Sequence, residues 1–244
     1  EIAQCLVGSE MCIRDRIEVA AYISMFPQLI AGPIVTFDEV QPRLRERKIS
    51  PANIENGLLL FVVGLVYKVM LANQIAALWN DVMVAGVMGI NTATAWLGAW
   101  GYSMQIYFDF LGYSLMAIGM GYMLGFRFPK NFSNPYCAVS VTDFWRRWHI
   151  TLGRWFREYV YIPLGGNKKG KFRLVINIFI VWFLTGLWHG AAWNFIIWGM
   201  FFFILMMLEK FIYLRFLEKH PIIGHLYMLI IIPVSWVIFN ICLL

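Results

Sequence analysis

The stretch "VWFLTGLWHGAAWNFIIWGM", Val181–Met200, decides the fold class. It holds no Asp, Glu, Lys or Arg, and apolar residues run on at both ends. Strands of a membrane barrel alternate apolar and polar residues over about ten positions, whereas unbroken apolar runs of this length read as membrane-spanning helices. In lipid each segment must satisfy its own backbone hydrogen bonds, which a helix does. One residue does not belong in such a run. His189 is ionisable, and burying an ionisable ring in hydrocarbon is costly unless a partner or a water-filled cavity receives it. An intramembrane ionisable residue is therefore a functional candidate by default.

Composition agrees with a membrane protein. Of the 244 residues 60% are hydrophobic and 14% charged, where soluble domains carry about 25% charge. The formal net charge of +6 is concentrated in short segments, the pattern of cytoplasmic loops rather than of a nucleic-acid surface. The cysteines Cys5, Cys12, Cys137 and Cys242 are scattered, without zinc-ligand spacing or a disulfide framework.

Outward from Val181, the sequence predicts an all-α polytopic membrane protein. Ile17–Val35 is apolar but broken by Pro27, Gly32 and Pro33, as in a kinked or re-entrant segment. A basic loop follows (Arg43, Arg45, Arg47, Lys48), and Ser50-Pro51 opens a helix. Gly57–Trp79 is the first clear span, with Lys68 snorkelling from it. Asn80–Thr92 is expected to be an outward loop, and Trp96–Phe126 a long helix interrupted near Gly112 that carries Asp109 in a structural role. Arg127–Arg173 is basic and expected to be cytoplasmic. Leu174–Trp188 and Ala191–Leu208 form a helical pair, Glu209–His225 a charged loop, and Leu226–Leu244 a further span. His189 lies fifteen residues past Leu174, or ~22 Å along a helix, beyond the middle of a core about 30 Å thick. "MCIRDR", Met11–Arg16, resembles a translated sequencing-adapter sequence. Residues 1–16 are accordingly expected to be a non-native leader, and residues 17–244 a partial domain truncated at both ends.

"TDFWRRWHITLGRWFREYVYIPLGG" predicts one amphipathic helix capped by Thr142 and ended by Pro163. Phe144, Trp145, Trp148, Leu152, Trp155, Phe156 and Tyr159 share an arc of roughly 120°, opposite Arg146, Arg147, Arg154 and Arg157. Such a helix suits the membrane interface, as an anchor, with His149 on the border of its two faces. The basic turn with Lys168 and Lys169 suits phosphates, of lipid headgroups or of a nucleotide-like donor. Gly190 permits close approach beside His189, and Asn194 can line the same space. "GMGYMLG", Gly119–Gly125, lies in an apolar helix and follows no strand, which excludes a phosphate cradle of the usual kind. His220 and His225 are given no role.

"FPQLIAGPIV", "IYFDFLGYSLMAIGMGYMLGFRFPKNFSNPY", "FWRRWHITLGRWFREYVYIPLGGNKKG" and "LTGLWHGAAWNF" together resemble the membrane-bound O-acyltransferase family, in the branch of the membrane subunits of alginate and related polysaccharide O-acetyltransferases. The resemblance implies helices around a transmembrane tunnel in a bacterial cell membrane. It implies transfer of an acetyl group from a cytoplasmic thioester donor, acetyl-CoA, with no bound cofactor or metal. The acceptor is a hydroxyl of an exported polysaccharide, or a secreted or periplasmic acetyltransferase partner that completes the reaction. His189 in "LWHG" matches the family's histidine and is expected to be the general base. His149 in "RRWHITL" matches the branch's second histidine and is expected to assist. Trp188, Asn194, Trp148, Lys168 and Lys169 are expected to bind substrate. Leu111 and Leu115 depart from the branch's pattern, and Leu115 resembles the D-alanyl transferases of teichoic acid, which stay open as an alternative. A pore or transporter with His189 as a relay is the alternative of another class. Its usual mark, paired broken segments with internal symmetry, is not evident in the sequence.

Overall fold

Among the described residues four stretches are long and apolar enough to cross a membrane: Pro51–Gly86, Gly170–His189, Trp193–Lys219 and Pro221–Asn240. In the computed structural model, which describes residues 10–28 and 32–240, they are helical throughout, and no strand occurs among the described residues. Large hydrophobic side chains such as Leu58, Leu59, Val62, Ile204, Leu229 and Ile230 are exposed along them. That surface is expected only where lipid replaces water. The protein is an all-α, multi-pass membrane protein. The expected leader 1–16 and the end of the last span, 241–244, lie partly or wholly outside the described residues.

The chain folds as two units, residues 1–68 with 110–130, and residues 69–109 with 131–244. The first contains α1 (Glu10–Ile23), α2 (Phe37–Arg45) and α3 (Pro51–Val66). Ser50 caps α3 by accepting from the Asn53 amide at 3.2 Å, and Pro51 fills the first turn where no N–H is needed. Met25, Val35, Val40, Ile118, Phe126 and Phe128 form the core of this unit. Glu18 ties α1 to α2 through Arg45 at 2.8 Å and Gln41 at 3.1 Å. The glycine near which an interruption is expected serves another purpose. A Cβ on Gly112 would come within 2.6 Å of the Gly64 carbonyl oxygen, and one on Gly119 within 2.5 Å of that of Gly57. Small residues seven apart on both helices let the backbones touch. The helix itself, α5 (Thr92–Met123), is unbroken.

In the second unit the expected Asn80–Thr92 loop is helix up to Gly89. A π-helical turn, Tyr67–Ala72, leads into α4 (Asn73–Gly89), and the chain kinks at Gly86, whose φ of 67° suits glycine. The single amphipathic helix is also two. Between α6 (Val141–Arg147) and α7 (Ile150–Phe156) the chain turns sharply at His149, and a π turn, Arg157–Tyr161, follows α7. Ser140, not Thr142, is the N-cap, accepting from the Asp143 amide at 3.0 Å. Nor does the whole aromatic arc face lipid. Phe144, Trp148, Leu152 and Phe156 are buried in protein, while Trp155 and Tyr159 stay outside.

Two membrane helices, α8 (Gly170–His189) and α9 (Trp193–Leu208), form the expected pair. Cβ atoms on Gly186 and Gly199 would each lie 2.5 Å from a carbonyl oxygen of the facing helix, so only glycine allows this spacing. The expected charged loop is almost entirely helical: a π turn (Glu209–Tyr213), α10 (Leu214–Lys219), then α11 (Pro221–Asn240). α11 is held by Asn194 Nδ2, which donates to the Phe239 carbonyl at 2.6 Å, and by Asn240 Nδ2, which donates to Tyr102 Oη at 2.9 Å.

Candidate functional site

The site is built in the second unit, where α6, α7, α8, α9 and α11 bring both histidines together. α8 begins at Gly170 rather than Leu174, so His189 is the last residue of nineteen rises, ~28 Å from its start. It therefore sits at the far end of a helix about as long as the hydrocarbon core is thick. Gly190 ends the helix with φ 154° and ψ 167°, a region open essentially to glycine alone. A Cβ there would meet the Phe195 ring at 2.7 Å.

Aromatic rings surround His189. Its centroid is 4.9 Å from Trp188, 5.2 Å from Trp198, 5.0 Å from Phe239 and 6.2 Å from Phe195. The ring is half-buried, and no hydrogen bond to it occurs among the described residues. Packing alone fixes its orientation.

His149 is held in the opposite manner. It adopts the left-handed conformation (φ 45°, ψ 51°), which for a residue with a side chain costs about 1–3 kcal/mol and survives only where neighbours enforce it. Asn131 enforces it. The Asn131 carbonyl accepts from the Ile150 amide at 2.9 Å. Its side-chain Oδ1 accepts from the Thr151 hydroxyl at 2.9 Å and amide at 3.4 Å, and lies 3.0 Å from His149 Nδ1. A backbone N–H facing that atom requires an oxygen there, which settles the orientation of the amide. His149 Nδ1 must then donate, and the basic lone pair is on Nε2. The ring is 6% exposed. Burial, with a smaller contribution from a charge on His189, lowers its pKa to about 3, so it is neutral at physiological pH.

Trp188 lies between the two. Its ring is 6.1 Å from His149 and 4.9 Å from His189, and it is 52% exposed. His149 thus lies beside the last turn of α8. Toward the start of α8, Asn177 Nδ2 donates at 2.9 Å to the Gly166 carbonyl, in the turn that leads into the helix. Lys168 and Lys169 are exposed beside the start of α8, remote from both imidazoles. Asn194 is 3% exposed and spends its amide on Phe239, whose ring touches His189. Trp148 is 3% exposed, stacked 5.5 Å from Phe144 and tilted against Trp236 at 4.9 Å, so its place is under the site rather than on it.

Three residues of this arrangement escape sequence reasoning. Asn131 and Thr151 lie inside the quoted motifs, but nothing local marks them as partners of His149. Glu209 is fully buried and binds the first turn of α6, accepting from the Val141 and Thr142 amides and, at 2.7 Å, from the Thr142 hydroxyl. A carboxylate suits the positive end of a helix. Its one sequence signal is its position, a lone acid closing a sixteen-residue apolar helix.

A bundle of apolar helices that brings two imidazoles against one indole defines a multi-pass membrane protein with a histidine pair at its centre. Comparison narrows the class. Residues 12–243 match the model of MBOAT, the membrane-bound O-acyltransferase family, and the chain belongs to that family. It is 40% identical over 234 residues to the "probable alginate O-acetylase AlgI" of Pseudomonas putida, covering 96% of this chain and 48% of the relative. It is 42% identical over 197 residues to a peptidoglycan O-acetyltransferase of Helicobacter pylori, covering 80% of this chain and 37% of the relative. It is 31% identical over 206 residues to a teichoic acid D-alanyltransferase of Bacillus subtilis, covering 78% and 50%. The chain spans about half the length, or less, of these relatives.

Proposed function

We propose that the chain carries the histidine centre of a membrane O-acyltransferase. It moves an acetyl group from a cytoplasmic thioester, acetyl-CoA, to a hydroxyl of an exported polysaccharide or to a secreted partner that finishes the transfer. The placement is the plasma membrane of a bacterium. The observation that carries this reading is the His149–Trp188–His189 succession, one imidazole tautomer fixed by Asn131 and the other ring without a competing hydrogen bond among the described residues.

A sugar hydroxyl is a weak nucleophile and gains from a base in the transition state. His189 takes the hydroxyl proton as the oxygen attacks the thioester carbonyl. The C–O bond forms, the C–S bond breaks, and the proton passes on to the departing thiolate to give the free thiol. His149, neutral and with its lone pair on Nε2, orients the acyl group or relays that proton. Trp188 offers an exposed face for substrate, and Asn194 and Trp148 fix the helices around the pair. Lys168 and Lys169, ~28 Å of helix away, draw an anionic donor to the opposite mouth. Greater identity to the acetylase than to the D-alanyltransferase favours acetyl over D-alanyl transfer.

His189→Ala tests the reading. Acetyl transfer to polymer, measured with labelled donor in membranes, should fall ~10²–10⁴-fold. The protein should still fold, because the ring is half-buried and makes no hydrogen bond among the described residues. Unchanged turnover would remove His189 as the base.

A further inference from the structure

The basic loop that precedes α3 borders an open cavity of about 530 Å³ within the first unit. Arg43, Lys48 and Arg127 line it, together with Glu46, Ser50 and Tyr122. Three cations against one carboxylate leave the lining at a formal +2. Among the described residues no ion pair joins Glu46 to any of the three, whereas the neighbouring Arg45 is taken up by Glu18 at 2.8 Å. The loop is set by two local contacts. Asn53 Nδ2 donates to the Lys48 carbonyl at 3.2 Å. Gly125, at φ 82°, lets the loop close down, since a Cβ would meet Arg47 Cγ at 2.8 Å and the Lys48 oxygen at 3.2 Å. Arg47 itself lies over the Phe126 ring, 5.6 Å from its centroid.

We propose that this cavity binds a phosphate-bearing ligand. Like charges gathered around one hollow repel one another until an anion is seated, and two arginines suit the several oxygens of a phosphate. The Ser50 and Tyr122 hydroxyls add uncharged donors. The cavity opens at the beginning of a stretch long enough to cross the membrane, the depth at which phospholipid headgroups lie, and a soluble phosphate donor reaches the same depth from the water. Sequence reasoning gives the phosphate role to Lys168 and Lys169, which are exposed on a turn. This is a second cation cluster, and its assignment is independent of the acyl-transfer reading.

The test uses the protein in phosphatidylcholine nanodiscs. Pyrophosphate is titrated calorimetrically as the soluble probe, and phosphatidylglycerol retained through purification is measured by native mass spectrometry as the lipid probe. Arg43→Gln/Arg127→Gln should weaken the probe that binds about 10-fold or more. Arg215→Gln/Lys219→Gln, the same loss of charge elsewhere, should leave it unchanged. Lys48→Gln, an exposed single change, gives the smaller loss expected if the double variant does not fold. Pyrophosphate binding lost in the cavity variants identifies a soluble phosphate ligand, and phosphatidylglycerol lost in them identifies a headgroup. If neither probe binds, or if the cavity variants bind as the wild type does, the proposal is wrong.

Discussion

The two imidazoles are neighbours of the same indole, yet they are held by different physics. His149 is buried, kept in a strained backbone conformation, and tied to an amide oxygen that also binds Thr151. His189 is half-buried at a helix end, and among the described residues ring edges and faces fix it. Hydrogen bonds define a tautomer, which packing cannot do. Packing leaves both ring nitrogens uncommitted, which a hydrogen bond would not. The difference supports a division of labour: His149 as an oriented group that is neutral at physiological pH, and His189 as the ring open to exchange a proton.

Removing each support should separate the two. Asn131→Ala takes one acceptor from the His149 ring and from Thr151 and leaves their donors buried. Unsatisfied buried donors cost ~1–3 kcal/mol each, so the variant should lose about 3 kcal/mol of stability in urea or thermal unfolding in mild detergent. A loss below about 1 kcal/mol would mean the left-handed turn does not depend on the amide. Gly190→Ala acts on the other ring. The new Cβ must adopt a glycine conformation and displace Phe195, a strain of about 2 kcal/mol. Acetyl transfer should fall, while the behaviour of His149 with pH should stay as it was. A parallel change at both histidines would show that they act as one rigid body and that the distinction fails.

What the sequence discloses differs between these supports in the same way. Apolar length identifies the pair Leu174–Trp188 and Ala191–Leu208, and an ionisable residue between them, within an otherwise uncharged run, singles out His189. Gly190 is legible too, because a glycine after a helix end has few other uses. His149 is legible only by resemblance, since its helical periodicity continues smoothly through the point where the chain breaks. The break depends on Asn131, eighteen residues earlier, and no local pattern encodes a contact at that distance. Glu209 and the expected loop after it show the same limit. Charge density there reads as solvent-facing, but sixty-eight residues separate the carboxylate from the Val141 amide that makes its burial tolerable. The interruption expected near Gly112 fails for a related reason: a glycine in a helix marks a break in isolation and a close contact beside a second helix.

The finest difference between the rings is electrical. Burial holds His149 at about 3 in the folded protein, whereas in the unfolded chain it titrates near 6.5. Below 6.5 the unfolded chain therefore binds a proton that the folded one refuses, and acid favours unfolding. Stability contributed by a neutral His149 is complete above about 6.5 and is lost as pH falls toward 3. The slope approaches ~1.4 kcal/mol per pH unit within that window and vanishes outside it. His149→Gln keeps an amide that can donate to Asn131 and cannot titrate, so its stability should stay flat where the wild type declines. The comparison is read from urea midpoints at pH 4, 5, 6 and 7. Equal slopes in the two proteins would place the titrating group elsewhere and leave His149 without its distinguishing property.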